Sequence, residues 1–275
     1  MRTLLNSIAL EPNRWTKDKI PRFDLADELL PRIAKAGFTR IEVWQHHVSE
    51  KSLDEVRAVA ARGKDLGLNF PVVGAYPNFH LEGELAERAR RYNHELLERA
   101  KLLGARWIKC FLGRVKASEI TPEQLERTTK HAGEWVAAGQ ALGFRFSAEL
   151  HGGTMFDPFE CGEAYLAEHP EWEMRYCFQP YDMTDTGASL ALIERLGARI
   201  VHAHFQGRNA QGFCRLAEAD IDYDRVVKAL AQANPEFLPS IEFVKHGFVK
   251  EGEPFDFDAA LSDALADAEF IEARL

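Results

Sequence analysis

The sequence predicts an α/β protein built as a single closed (β/α)8 barrel, and three of its patterns support this. Eight short β-rich runs alternate with helical stretches along the 275 residues, glycines end most helical stretches, and no Pro- or Gly-rich linker divides the chain. Strands that alternate with helices through short connections pair in parallel. A doubly wound open sheet is the alternative, but no G-x-G-x-x-G motif follows the first strand. The prediction is therefore one TIM barrel domain over residues 1–275.

The elements follow from local patterns. Between the strands, apolar residues recur three and four positions apart, as at Leu25, Leu29 and Ile33, which predicts helices. Glycine after the last helical turn, as in "LLGARW", predicts a left-handed cap, and Thr121 before Pro122 predicts a helix start. The segment "GRNAQGF" after the seventh strand is predicted to be a mobile loop. The predicted strands are 3–10, 38–44, 69–76, 107–113, 145–151, 174–180, 199–207 and 237–244.

Composition restricts the classes of partner. The formal charge of −9 and the pI of about 5.6 disfavour nucleic acid, because such a surface repels phosphates. The four cysteines show no C-x-x-C spacing, which indicates reduced thiols. We found neither a signal peptide nor a stretch of about 20 apolar residues. The expectation is a soluble, cytoplasmic protein that binds neither nucleic acid nor membrane.

Strand alternation predicts which side chains enter the barrel, because successive residues of a strand point to opposite faces. Ile41, Ala148 and Phe243 are among those predicted to face the helices. Active sites of such barrels lie at the C-terminal strand ends. The polar and aromatic residues predicted to point inward are Glu42, Trp44, Lys109, Glu149, His151, Cys177, Gln179, His202, His204 and Glu242.

Four consecutive strands send a potential metal ligand to the same rim. These ligands are Glu149, Gln179, His204 and Glu242. Two carboxylates, an imidazole and an amide oxygen suit one divalent ion, with Mn²⁺ or Mg²⁺ favoured and Co²⁺ or Zn²⁺ as alternatives. As an alternative to a metal site, each of these residues is paired with its own buried polar or charged side chain, for example Glu149 with Lys109.

Further rim residues are candidates for substrate binding, and each has a plainer alternative. Trp44 either stacks on a sugar or lines the core, and Asp182 either binds a hydroxyl or forms a turn. Arg208 and Lys245 either bind substrate oxygens or are solvated loop charges. No glycine-rich phosphate loop stands out, which favours an unphosphorylated sugar. The full candidate set is Glu42, Trp44, Lys109, His151, Asp182, His202, Arg208 and Lys245.

The motifs "AGFTRIEVW", "SAELHGG", "RIVHAHFQG" and "PSIEFV" resemble the xylose isomerase-like TIM barrels of the sugar phosphate isomerase/epimerase family. The resemblance covers nearly the whole chain. It implies one divalent metal bound by a Glu, an Asp, a His and a Glu, with Gln179 in place of the Asp. Family barrels often pair, so a homo-oligomer is an open alternative. The family also contains an endonuclease, but the acidic charge and the absence of its histidine set argue against that activity here.

The resemblance implies an isomerase or epimerase of a sugar or keto-sugar. Glu149 and Glu242 would be the catalytic pair, one removing and one returning a proton through a metal-stabilised enediolate. The alternative within the family is a dehydratase or lyase that acts by β-elimination on a keto-inositol or 3-keto sugar, with His151 or Lys109 protonating the leaving group. The third hypothesis is a sugar-binding barrel without turnover.

Overall fold

A computed structural model of the chain describes residues 1–180, 185–249 and 253–275. Eight parallel strands form a closed ring, because β1 pairs with both β2 and β9, and β6 pairs with β7. This confirms the predicted closed (β/α)8 barrel. The strands are β1 (Leu4–Asn6), β2 (Arg40–Trp44), β3 (Asn69–Ala75), β4 (Trp107–Cys110), β5 (Arg145–Glu149), β6 (Arg175–Phe178), β7 (Ile200–Asn209), β8 (Gly212–Cys214) and β9 (Leu238–Phe243), of which β8 lies outside the ring.

Helices follow the barrel strands, and all but the last return the chain to the start of the next strand. They are α1 (Leu30–Lys35), α2 (Leu53–Asp65), α3 (Gly83–Leu103), α4 (Pro122–Ala141), α5 (Phe159–Ala167), α6 (Thr186–Leu196), α7 (Tyr223–Ala233) and α8 (Phe257–Glu272). None of the helices in the described segments has both the length and the apolar character that a membrane crossing needs.

Local signals account for the helix ends. The Thr121 side chain accepts a hydrogen bond from the Gln124 backbone N–H, and the Gln124 side chain accepts one from the Thr121 N–H, so α4 begins with a capping box. Gly104 ends α3 with φ of 78°, a left-handed conformation that a side chain disfavours. Both predicted helix ends are confirmed.

The largest differences from the prediction are two strands that end early and one loop. β1 ends at Asn6 because the Asn6 side chain caps a 3-10 turn, accepting a hydrogen bond from the Ile8 N–H. β4 ends at Cys110, three residues earlier than expected. The predicted mobile loop "GRNAQGF" is wrong, since its ends form an antiparallel hairpin in which Gly207 pairs with Cys214.

The two faces of the barrel strands have opposite character. Outward residues such as Ile41, Phe146 and Ala148 are fully or almost fully buried against the helices and belong to one large apolar core. Inward residues such as Glu42, Lys109 and His204 are equally buried but polar. Burying such groups is costly unless they are paired or bind a ligand. The interior of the barrel is therefore where function is to be sought.

Candidate metal centre and substrate cavity

Four polar side chains from neighbouring strands meet at the C-terminal end of the barrel. They are Glu149 at the end of β5, Gln179 directly after β6, His204 in β7 and Glu242 in β9, and we call them the rim cluster. All four are buried, with at most 7% of the residue surface exposed. The structure thus brings together the four residues that the sequence placed at one rim.

The imidazole of His204 lies between the two carboxylates of the rim cluster. Its Nδ1 is 3.2 Å from Glu242 Oε1 and 3.5 Å from Glu149 Oε1. One ligand atom from each of these three residues lies within 4.8 Å of the others. Within the described residues, this buried Nδ1 has no hydrogen-bond partner. A nitrogen lone pair and two carboxylates that converge in this way fit a divalent cation.

The Gln179 amide faces both carboxylates. One end of it lies 3.2 Å from Glu149 Oε1 and 3.3 Å from Glu242 Oε2. With its nitrogen on that side, the amide donates a hydrogen bond to each carboxylate. With its oxygen on that side, it adds a third oxygen to the set, which is favourable only with a cation between them. Gln179 therefore suits the cluster with or without a metal.

Glu149 has the lysine partner that the alternative to a metal site required. Lys109 Nζ donates to Glu149 Oε2 at 2.5 Å, and both side chains are buried. Burial opposes the ionisation of Glu149, but the charges of Lys109 and His204 outweigh it and hold the pKa of this carboxyl below its usual value. Along the described segments, no Lys or Arg nitrogen lies within 4 Å of Glu242. A lysine pair therefore accounts for one of the two carboxylates and not for the other.

Glu42 holds His204 from the side opposite the rim cluster. Its carboxylate lies 3.0 and 3.1 Å from His204 Nε2 and accepts a hydrogen bond from Ser240 Oγ at 2.8 Å. Burial lowers the pKa of His204, but the surrounding charges, Glu242 and Glu42 among them, outweigh it and raise this pKa. When the hydrogen is on Nε2 alone, the Nδ1 lone pair faces Glu149 and Glu242. A carboxylate behind a histidine is the usual arrangement around a metal-binding imidazole.

A second group of potential ligands lies deeper in the barrel. Cys177, His202 and His204 each offer an atom within 4.8 Å of the others. His202 Nε2 is also 3.0 Å from Glu42 Oε2. Burial lowers the pKa of His202, but the charges of Cys177 and Glu42 outweigh it and raise this pKa to about 9. His202 thus contacts other buried site residues rather than the open rim.

A cavity of about 160 Å³ adjoins the rim cluster, and Glu149 and Glu242 form part of its wall. An apolar cavity of about 150 Å³ holds one benzene molecule, so this space suits a ligand near the size of a six-membered ring. Five aromatic residues form part of its remaining wall: Trp15, Trp44, Tyr76, Phe111 and Phe243.

The candidate substrate-binding residues fall into four groups. Trp44 and His151 line the cavity. Glu42, Lys109 and His202 are buried and contact rim-cluster residues or one another.

Two further candidates lie outside the cavity wall. The Arg208 guanidinium carbon lies 4.1 Å from the centre of the Phe213 ring, and Lys245 pairs with Glu218 at 3.4 Å. Asp182 lies outside the described residues. A role in substrate binding stays a prediction for all eight.

Phe243 was expected to face the helices, and this prediction is wrong because Phe243 lines the cavity. In β9, Ile241 pairs with Phe205 and Phe243 pairs with Gln206, so Glu242 is an extra residue in the ladder. Such a bulge redirects the side chains beside it, and bulges are frequent next to active sites. It lets Glu242 and Phe243 both reach the cavity.

Sequence reasoning also missed the cations of the cavity wall. They are Arg14, Lys19 and Arg114. Arg14 and Lys19 come from the segment after β1, and Arg114 follows β4. Their one signal was their place after a strand end, where many solvated charges also occur. Since period-two alternation stops at the strand end, it does not predict their direction.

Comparisons with known proteins agree with this architecture. The family model described as the xylose isomerase-like TIM barrel matches residues 30–266. No curated protein matched the chain. Three similar solved structures span the chain, and at their low sequence identity the similarity is one of fold. The first is a probable 3-DHS dehydratase, AsbF, from Bacillus anthracis, with 16% identity, a TM-score of 0.73 and all of both chains covered. The second is a D-psicose 3-epimerase from Clostridium cellulolyticum H10, with 17% identity, a TM-score of 0.73, and 100% of this chain and 99% of the other covered. The third is the zinc-bound IOLI protein, with 14% identity, a TM-score of 0.72, and 100% of this chain and 99% of the other covered. Because the family model covers most of the sequence, the chain belongs to the xylose isomerase-like TIM barrel family.

Proposed function

We propose that the protein is a divalent-metal-dependent isomerase or epimerase of a sugar or keto-sugar. The observation that carries the proposal is the pair of carboxylates, Glu149 and Glu242, in the wall of one small cavity on either side of His204 Nδ1. The similarity to a D-psicose 3-epimerase is consistent with this class of substrate.

The two glutamates would carry the proton. One carboxylate takes the proton from the carbon beside the substrate carbonyl, which leaves an enediolate, and the other returns a proton. Return to the opposite face of the same carbon gives an epimer, and return to the neighbouring carbon gives an isomer. The charges of Lys109 and His204 keep Glu149 ionised, and the ionised carboxylate is the form that can take a proton.

The rim cluster would hold the metal through Glu149, Gln179, His204 and Glu242, with Mn²⁺ as the proposed ion. When bound, a divalent cation supplies a Lewis acid that polarises the substrate carbonyl and makes the adjacent C–H more acidic. Glu42 would orient His204, and Lys109 would keep Glu149 ionised. Trp44 and His151 are the residues in the cavity wall that we propose to contact the substrate.

The alternative reaction is β-elimination on a keto-inositol or 3-keto sugar. It is favoured by the position of His151, which lines the same cavity as Glu149 and whose ring centre lies 4.6 Å from that of Phe111. Glu149 would remove the proton, and His151 would protonate the departing hydroxyl group. The similarity to a probable dehydratase agrees with this alternative.

The test combines metal content with proton exchange. Metal per chain is measured by mass spectrometry on protein purified without chelator, for the wild type and for Glu149→Gln and Glu242→Gln. Glu98→Gln, an exposed change of the same kind on α3, is the control. Keto-sugars are then incubated in D₂O, and loss of the α-proton signal is followed by NMR.

We expect about one metal ion per chain in the wild type and the control, and a loss in both site variants. Deuterium in a recovered sugar epimer or isomer supports the proposal, whereas a dehydrated product supports β-elimination. Binding of a sugar without any α-proton exchange in metal-loaded protein would refute both reactions and favour a binding barrel.

A further inference from the structure

Three cationic side chains gather in the cavity wall beside the reacting carboxylates. They are Arg14, Lys19 and Arg114, on a chain whose formal charge is −9. Resting on the proposed function, we propose that the substrate carries an anionic oxygen group, a carboxylate or a phosphate, which these cations bind while its carbonyl end lies at Glu149 and Glu242.

Arg14 is the buried member of this proposed subsite, and backbone hydrogen bonds hold it in place. It is 1% exposed, and its guanidinium donates to the Glu11 carbonyl oxygen at 2.6 Å and to the carbonyl oxygen of Gly247. Its Nε is buried and has no hydrogen-bond partner among the described residues. A guanidinium has five N–H donors, so these two backbone bonds hold the group in place and leave donors free for a ligand.

The balance of charge around Arg14 leaves room for an anion. In the described part of the chain, no carboxylate oxygen lies within 4 Å of the Arg14 guanidinium, although Glu11 and Glu242 are the acidic groups nearby. Burial lowers the pKa of Arg14 to about 10, while these two carboxylates act in the opposite direction. A buried cation without a paired carboxylate is costly, and a bound anion would remove that cost.

Lys19 and Arg114 add further positive charge at the same place. Lys19 Nζ donates to the Arg14 carbonyl oxygen at 2.8 Å, and among the described residues neither side chain forms an ion pair with a carboxylate. Burial, followed by the charges of Lys19, His47 and Arg114, lowers the pKa of His46 to about 4. The cations therefore repel additional positive charge, and a negative group between them would relieve this repulsion.

The backbone at Lys19 supports the same inference. Its φ of 50° lies in the left-handed region, which is uncommon for a residue other than glycine. Conformations of this kind cost free energy and concentrate at sites that bind ligands. The cavity volume of about 160 Å³ favours a compact acid over a long chain.

The test compares three matched keto-sugars: D-tagatose, D-tagaturonate and D-tagatose 6-phosphate. Their dissociation constants are measured by isothermal titration calorimetry on the whole 275-residue chain. The variants are Lys19→Gln and Arg114→Gln, with Arg62→Gln as control because Arg62 is exposed in the last turn of α2, at the other end of the barrel. Arg14→Lys keeps the buried charge and removes the forked donor, so it tests geometry without leaving a cavity.

We expect the wild type to bind one of the anionic sugars at least about tenfold more tightly than D-tagatose, since a charge-assisted hydrogen bond contributes about that factor or more. Each of the variants Lys19→Gln, Arg114→Gln and Arg14→Lys should lower the affinity for this anionic sugar by about fivefold or more. The affinity for D-tagatose should fall much less. Arg62→Gln should change neither. Which of the two anions binds more tightly distinguishes a carboxylate from a phosphate.

Two results would overturn the proposal: equal affinity for D-tagatose and both anionic sugars, or an anion preference that survives all three site variants. Exchange of the α-proton with D₂O is followed in the same samples and reports on the proposed reaction independently. An anion preference without exchange would leave the subsite standing and refute the reaction. Exchange on D-tagatose without an anion preference would support the reaction and refute the anion subsite.

Discussion

Replacing Glu42 by Gln tests whether this residue positions His204, the proposed metal ligand. Glu42 is fully buried, and its carboxylate contacts His204 Nε2 at 3.0 Å and accepts from Ser240 Oγ at 2.8 Å. The Gln amide has the same shape but no charge and a single oxygen. It therefore favours the hydrogen on Nε2 less strongly than the carboxylate does, and a smaller share of the molecules should present the Nδ1 lone pair to a metal.

The magnitude follows from the position of Glu42 behind the ligand. Loss of a carboxylate that supports a metal-binding histidine typically costs about 10- to 100-fold in metal affinity, or about 1.4–2.7 kcal/mol. Ser240→Ala is the matched control, because it removes one hydrogen bond to Glu42 and leaves the Glu42 charge in place. It should cost no more than about fivefold.

The assay is competition for Mn²⁺ against a chelating dye, with thermal unfolding to establish that each variant is folded. Glu42→Gln should lose at least about tenfold in Mn²⁺ affinity and the control clearly less. A folded Glu42→Gln protein with the wild-type Mn²⁺ affinity would refute the argument that Glu42 sets the histidine tautomer.

Three other predictions concern the metal, the packing and the pH dependence. Gln179→Asp adds a negative charge to the rim cluster, so it should lower Tm without metal and tighten Mn²⁺ binding by about tenfold; equal Mn²⁺ affinity in both proteins would contradict this. Gly139→Ala should lower the free energy of unfolding by about 1–3 kcal/mol, because its Cβ would overlap the buried Phe146 ring. The control is Gly133→Ala, whose Cβ would lie 3.5 Å from its nearest neighbour and should leave the stability unchanged. Urea titration compares the two variants. Burial raises the pKa of the Asp267 carboxyl to about 7. As the pH rises from about 4, the unfolded chain therefore loses a proton that the folded chain retains, and the free energy of unfolding falls by up to about 4 kcal/mol by pH 7. Asp267→Asn should therefore gain stability relative to wild type as the pH rises from 4.5 to 7.5, and a stability difference independent of pH would exclude this.

The sequence by itself determined the barrel and most of its inner face. The pattern of strands, helices and glycines predicted the eight parallel strands, and alternation placed Glu149, Gln179, His204 and Glu242 at one rim. Both inferences succeed because they depend on properties repeated along each strand: side chains alternate, and parallel strands end together. No knowledge of the exact partner of a residue is needed for either.

Only the tertiary structure decided which buried residues meet. The contact of Glu42 with His204 joins residues 162 positions apart. The sequence offered the pairing of Lys109 with Glu149 as an alternative, and the structure shows that it forms. The direction of Phe243 depends on a bulge, which the alternation of residues does not reveal.

The segments beyond the strand ends were likewise decided by the tertiary structure. The segment after β1 brings Arg14 into the cavity wall, while β7 continues into a hairpin that leaves Arg208 outside it. A side chain beyond a strand end takes its direction from loop conformation and from contacts with distant segments. These exist only once the ring has closed, and for this reason the cavity and its cations were not predictable from the sequence.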